Sequence, residues 1–78
     1  MIYYNTFVCA HVHDEDNVTY GKSYDVYCYC NGVTYFYTDD LGLRDLFFVL
    51  TGNVSLNGSK FIPLDGWREQ KLNEIGIW

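Results

Sequence analysis

Apolar and polar positions alternate along Ser23 to Cys30 and again along Val33 to Thr38, on either side of Asn31-Gly32. That dipeptide suits a type I′ reversal, where both central residues need positive φ, so the pattern predicts a β-hairpin. A two-residue turn sets the register: Cys30 opposite Val33, Tyr29 opposite Thr34, Cys28 opposite Tyr35, Tyr27 opposite Phe36 and Val26 opposite Tyr37. Alternation then sorts the side chains. Tyr24, Val26, Cys28, Cys30, Val33, Tyr35 and Tyr37 share one face, and Asp25, Tyr27, Tyr29, Thr34, Phe36 and Thr38 share the other. Both faces carry rings, although a half-buried hairpin needs only one apolar side.

The same reading extends to the flanks. Tyr3 to His13 is rich in aromatic and β-branched residues and ends in the polar cluster Asp14 to Asn17, which predicts a first strand and a turn. Val18 to Lys22 is a short bridging segment in which Gly21 suits a bend. Asp39-Asp40-Leu41-Gly42 reads as a second tight connection. Leu43 to Leu50 fits either a helical spacing or a central strand, and we read it as a strand. Thr51 to Ser59, with its Gly, Asn and Ser residues, reads as a mobile loop. Phe61 to Leu64 is extended, and Pro63 restricts it to an edge or a strand end. Asp65 or Gly66 then caps a short helix with Leu64, Trp67, Leu72 and Ile75 as its apolar stripe and Gly76 as its stop. The chain reads as one all-β domain with a C-terminal tail or helix.

Composition narrows the classes of function. The 78 residues are 49% hydrophobic and 19% aromatic, which argues for a packed globule. Ten acidic against five basic residues give a net charge of −5. That balance disfavours phosphate backbones and anionic membranes, so nucleic acid is an unfavoured partner and a membrane is not expected. The first residues lack a basic segment followed by a long apolar run, which predicts a cytoplasmic protein. Three cysteines fit that compartment. Cys28 and Cys30, two apart on a strand, stand about 6 to 7 Å from one another, near or beyond the reach of a disulfide.

Residues Gly21, Lys22, Tyr24 and Val26 form Gly-Lys-x-Tyr-x-Val, and Tyr35, Asp39, Asp40 and Gly42 form Tyr-x-x-x-Asp-Asp-x-Gly. Separated by a hairpin, these motifs resemble those of a family of small bacterial and bacteriophage domains of uncharacterised function. The resemblance covers about half the chain. It implies a small Src-homology-3-like barrel of about five antiparallel strands and a viral or prophage origin, and it carries over no catalytic residues. Beyond Leu50 the chain departs from the family pattern.

Tyr24 and Val26 belong to the motif, so their face is expected to point inward and Tyr27, Tyr29 and Phe36 outward. Three rings rimmed by Asp25 and polar Thr positions have the composition of a protein interface. The alternative is that the C-terminal tail, with Trp67 and Trp78, folds over them. We expect Tyr27, Tyr29, Phe36, Thr34 and Asp25 to contact a partner, with Trp67 and Trp78 as further anchors. That partner would be a host protein, inhibited by the contact, or a second copy of the chain. The acidic tip Asp14 to Asp16 would steer a basic partner. A base-stacking surface for single-stranded nucleic acid is the second reading of the same rings, with only Lys22 nearby in sequence to support it.

Chemistry has weaker signals. Cys9, His11 and His13 alternate along one strand, but zinc ligands usually come from turns that wrap the ion, so no metal is expected. His11 or His13 beside Asp14 to Asp16 reads as a solvated tip rather than an acid/base pair. No nucleophile motif, phosphate-cradling loop or cofactor signature is present, and no enzymatic activity is expected.

Overall fold

A computed structural model describes residues 1–29 and 31–75, with side chains as far as Leu72 in the last element. Six strands run β1 Ile2–His11, β2 Ser23–Cys28, β3 Tyr35–Thr38, β4 Arg44–Phe48, β5 Val54–Ser55 and β6 Lys60–Pro63, followed by helix α1, Leu64–Ile75. They close an antiparallel barrel in sequence order, with β6 returning to β1. The result is an all-β, Src-homology-3-like small barrel with a short C-terminal helix.

The hairpin register is the one set by the alternation: Val26 pairs with Tyr37, Tyr27 with Phe36 and Cys28 with Tyr35. The Tyr29 N–H donates to the Thr34 carbonyl at 2.9 Å, extending it. The reversal itself is built differently from a bare two-residue turn. Gly32 N–H bonds to the Tyr29 carbonyl, and the Asn31 carboxamide oxygen receives the N–H groups of Val33 and Thr34. Gly32 supplies the positive φ of 74°. The turn therefore begins before Cys30, which lies outside the described residues.

One face of every long strand feeds the core: Phe7 and Cys9 from β1, Tyr24 and Val26 from β2, Tyr37 from β3, Phe47 from β4 and Phe61 from β6. Their rings interlock, with Phe7–Phe47 centroids at 4.9 Å, Tyr37–Phe61 at 5.3 Å and Phe47–Phe61 at 5.4 Å. Large aromatic areas let so short a chain bury a sizeable core. Val33, expected inward, is instead 77% exposed because it sits in the turn beyond the last paired residues.

The segment Leu43 to Leu50 is a strand over Arg44–Phe48. Thr51 to Ser59, expected as a loop, contains β5, and Ser55 and Ser59 within it are almost wholly buried. Helix α1 starts at Leu64, one residue before the expected cap, which leaves Asp65 inside the first turn where it faces the positive helix end. The helix packs on β1 and β6. Val8 is 1% exposed although alternation turns it away from Phe7 and Cys9, so the barrel is covered on that side of β1 as well. Leu72 is 46% exposed, so the expected apolar stripe is only partly buried. The expected stop at Gly76 and the Ile75 side chain lie outside the described residues. No described helix is long and apolar enough to cross a membrane.

Candidate functional site

The outer face of β1 to β4 gathers a ring cluster. Tyr3 lies opposite Tyr27, Tyr27 opposite Phe36 and Phe36 opposite Leu46, so the four side chains form one row across the sheet. Tyr3 meets Tyr27 edge-on at 5.8 Å, Tyr27 stacks on Phe36 at 5.9 Å, and Tyr29 tilts onto Phe36 at 4.8 Å. The Arg44 guanidinium lies 4.9 Å over the Phe36 ring, an attraction between a cation and the negative face of the ring.

Phe36 points outward as the register requires, yet it is only 3% exposed, which corrects the expectation of three open rings. Two tyrosines and an arginine enclose it, so it serves as the floor of the face. What solvent meets is Tyr3 at 52%, Leu46 at 43% and Tyr29 at 37%, with Tyr27 half-buried among them.

The rim is polar and ordered. Thr6 Oγ1 donates to Asp25 Oδ1 at 2.7 Å, and because that uses its one hydrogen, the Tyr3 hydroxyl must donate to Thr6 at 2.5 Å. Tyr3 is thereby held against Tyr27. Thr34, expected as a contact residue, is committed to the turn: Asn31 Nδ2 donates to its Oγ1 at 3.1 Å. Beside the hairpin tip an apolar cleft of about 230 Å³ opens between Val33, Tyr35, Phe48 and Leu50.

Trp67 does not reach these rings. It packs on Tyr20 at 5.5 Å and within 3.8 Å of the Cβ position of Gly21, with Lys71 Nζ 4.4 Å over its indole. Trp78 lies outside the described residues, so the expectation of a tail over the cluster is placed only as far as Trp67.

The two sequence motifs converge at a different place. Asp40 Oδ1 receives Lys22 Nζ at 2.6 Å and the Tyr24 hydroxyl at 2.9 Å, while Oδ2 receives Thr19 Oγ1 at 2.8 Å. These donors hold the Asp40 carboxyl below its ordinary value, the Lys22 bond first among them. Asp39 Oδ1 accepts the N–H groups of Leu41 and Leu43 and so shapes the β3–β4 turn, where Gly42 takes a φ of 82°. Lys22, Tyr24 and Asp40 clamp one loop to one turn, a structural task.

The acidic tip is also not uniform. Asp14 and Glu15 are exposed, but Asp16 is buried, which corrects its assignment to a solvated steering patch. Its carboxylate receives Ser55 Oγ at 2.6 Å, Asn57 Nδ2 at 2.9 Å and the Ser59 hydroxyl. Burial pushes the Asp16 carboxyl up, and these donors together pull it below its ordinary value.

Near this network the Tyr37 hydroxyl is, among the described residues, the one buried side-chain polar atom without a hydrogen-bond partner. Burial, then the charges of Asp16, Asp45 and Asp39, push it far up. Asp45, opposite Tyr37 in the ladder, is raised by burial and next by Asp39 beside it.

Cys9 is fully buried, its thiol directed to the His11 carbonyl at 3.7 Å and raised chiefly by burial, which suits a core residue. Cys9 and Cys28 are free thiols. Among the described residues no three of His, Cys, Asp and Glu converge on a point where they would hold a metal ion.

Sequence reasoning missed Tyr3, Arg44 and Leu46. Nothing in the alternation of one strand states which residue of the next lies opposite, and these three enter the face only through the β1–β2 and β3–β4 registers. Compared with models of known protein families, with curated proteins and with solved structures, the chain matches none.

Proposed function

We propose that the chain is a non-enzymatic interaction module whose outer aromatic face binds a protein. The observation that carries this reading is the exposure of Tyr3, Tyr29 and Leu46 around a fixed floor of Phe36. Rings held by their neighbours lose little freedom on docking, and tyrosine gives large contact area with a polar edge. Asp25 and Arg44 supply charges of both signs at the margin, as in the polar rim of an interface. The motif resemblance supports a phage origin, and on that reading the bound protein is a host protein of the bacterial cytoplasm, inhibited by the contact, or a second copy of the chain.

One observation favours the second reading, a single-stranded nucleic-acid binder: Arg44 stands among the rings. It is spent on Phe36, however, and the chain carries −5 overall. The test is capture of a partner from bacterial lysate by the wild type and by Tyr29→Ser/Leu46→Ser, alongside oligonucleotide titration across salt. A partner held by the wild type and lost from the variant supports the module. Steep salt-dependent oligonucleotide affinity reverses the ranking.

A further inference from the structure

β1 outruns one of its neighbours. It pairs with β2 from Ile2 to Val8 but with β6 only from Phe7 to His11. Opposite Phe7, β6 ends at Pro63 and the chain turns into α1. Among the described residues, the second side of Ile2, Tyr3, Tyr4 and Asn5 therefore meets no strand. All four residues are exposed, Ile2 at 65% and Tyr4 at 44%.

A free strand edge offers backbone N–H and C=O groups at the spacing of another extended chain. The side chains here decide which chain suits it. Ile2 to Thr6 carries no charge, whereas the molecule as a whole carries −5. Two copies meeting along this segment bring no like side-chain charges face to face, so the repulsion of their net charges is least there. A strand laid antiparallel on its own copy is also self-complementary and closes a two-fold.

We propose that the free edge of β1, Ile2 to Asn5, is a homodimerisation edge, pairing antiparallel with the same segment of a second copy. The two barrels then share one continuous sheet. The ladder is short by construction. A bulge at Tyr4 interrupts the register with β2, and the Asn5 side-chain oxygen takes the Thr6 N–H at 2.8 Å, which ends the available edge there. Four residues a side bury less than the about 1,600 Å² of a standard interface, so the dimer is weak. This inference does not depend on the aromatic face.

Sedimentation velocity from about 10 µM to about 1 mM, a range that spans such a weak interface, is the test. The wild type is expected to shift from monomer to dimer, Ile2→Lys/Asn5→Lys to stay monomeric because facing lysines repel, and Tyr29→Ser/Leu46→Ser to dimerise as the wild type does. In the wild type, amide exchange within Ile2 to Asn5 should slow as concentration rises, a readout that needs no variant. A wild type monomeric throughout, a lysine variant that still dimerises, or dimerisation lost with Tyr29 and Leu46 overturns the proposal.

Discussion

The Tyr24 hydroxyl stands between two loops: it accepts the Thr19 N–H at 2.7 Å and donates to Asp40 Oδ1 at 2.9 Å. Tyr24 is otherwise a core ring, 5% exposed and edge-on to both Tyr37 and Phe61. One side chain thus ties the barrel interior to the junction of the bridging segment with the β3–β4 turn. The Asp40 N–H adds a backbone link to the Asn17 carbonyl at 2.8 Å. Lys22, Tyr24 and Asp40 of the Gly-Lys-x-Tyr-x-Val and Tyr-x-x-x-Asp-Asp-x-Gly patterns meet at this junction, which gives them a structural role.

Tyr24→Phe keeps the ring and removes the link. The Thr19 N–H loses its acceptor and Asp40 one donor, and an unmet buried polar group costs about 1–3 kcal/mol. We expect urea denaturation to show a loss of about 1–2 kcal/mol with an unchanged slope, since the folded surface is the same. Binding through the outer face should be unaffected.

Tyr37→Phe should act in the opposite sense. The Tyr37 hydroxyl is fully buried without a full hydrogen bond, and Ser55 and Asp45 act on it only weakly, so removing it relieves a desolvation cost of about 1 kcal/mol or more at the loss of those two weak contacts. A raised midpoint in urea or heat is the expected outcome. A lowered midpoint would mean that the hydroxyl is satisfied in solution.

Much of the fold is legible in the residues. Period-two alternation around Asn31-Gly32 sets the register because a single slip would turn Val26 outward and Tyr27 inward. The polar interior is less legible. Asp16 sits in a run with Asp14 and Glu15 that looks uniformly solvated, and its burial depends on Ser55, Asn57 and Ser59, about forty residues away. Those serines lie in a stretch whose composition signals a loop. The burial of Phe36 is equally hidden, because facing outward from a strand is a local property while coverage by Arg44 comes from the next strand.

Stability should depend on pH in two directions. Asp16 titrates below its ordinary 3.8 in the folded protein, so its contribution is present above about pH 4 and is lost as pH falls through the folded value. Asp45 titrates above 3.8, so its contribution is present below that value and is lost as pH rises through the folded one. Asp16→Asn should flatten the acid side of a stability-against-pH curve, and Asp45→Asn should remove the decline on the neutral side. Thermal melts across pH 2–7, the range bracketing both carboxyls, check each limb separately.

Phe36 and Tyr29 should separate stability from recognition, although their rings touch. Phe36 is enclosed by Tyr27, Tyr29 and Arg44, and truncating a buried Phe to Ala costs about 3 kcal/mol or more. Phe36→Ala should therefore lower the melting temperature and weaken binding together. Tyr29 is 37% exposed and makes its backbone bond through its N–H, which a serine keeps, while Tyr27 and Arg44 still cover Phe36 when the Tyr29 ring is gone. Tyr29→Ser is expected to hold its unfolding free energy within about 1 kcal/mol, the usual range for surface substitutions, while partner affinity falls tenfold or more. Equal losses of stability and affinity in the two variants would mean that Tyr29 acts only as a lid on Phe36, and the face would then be a second small core without a docking role.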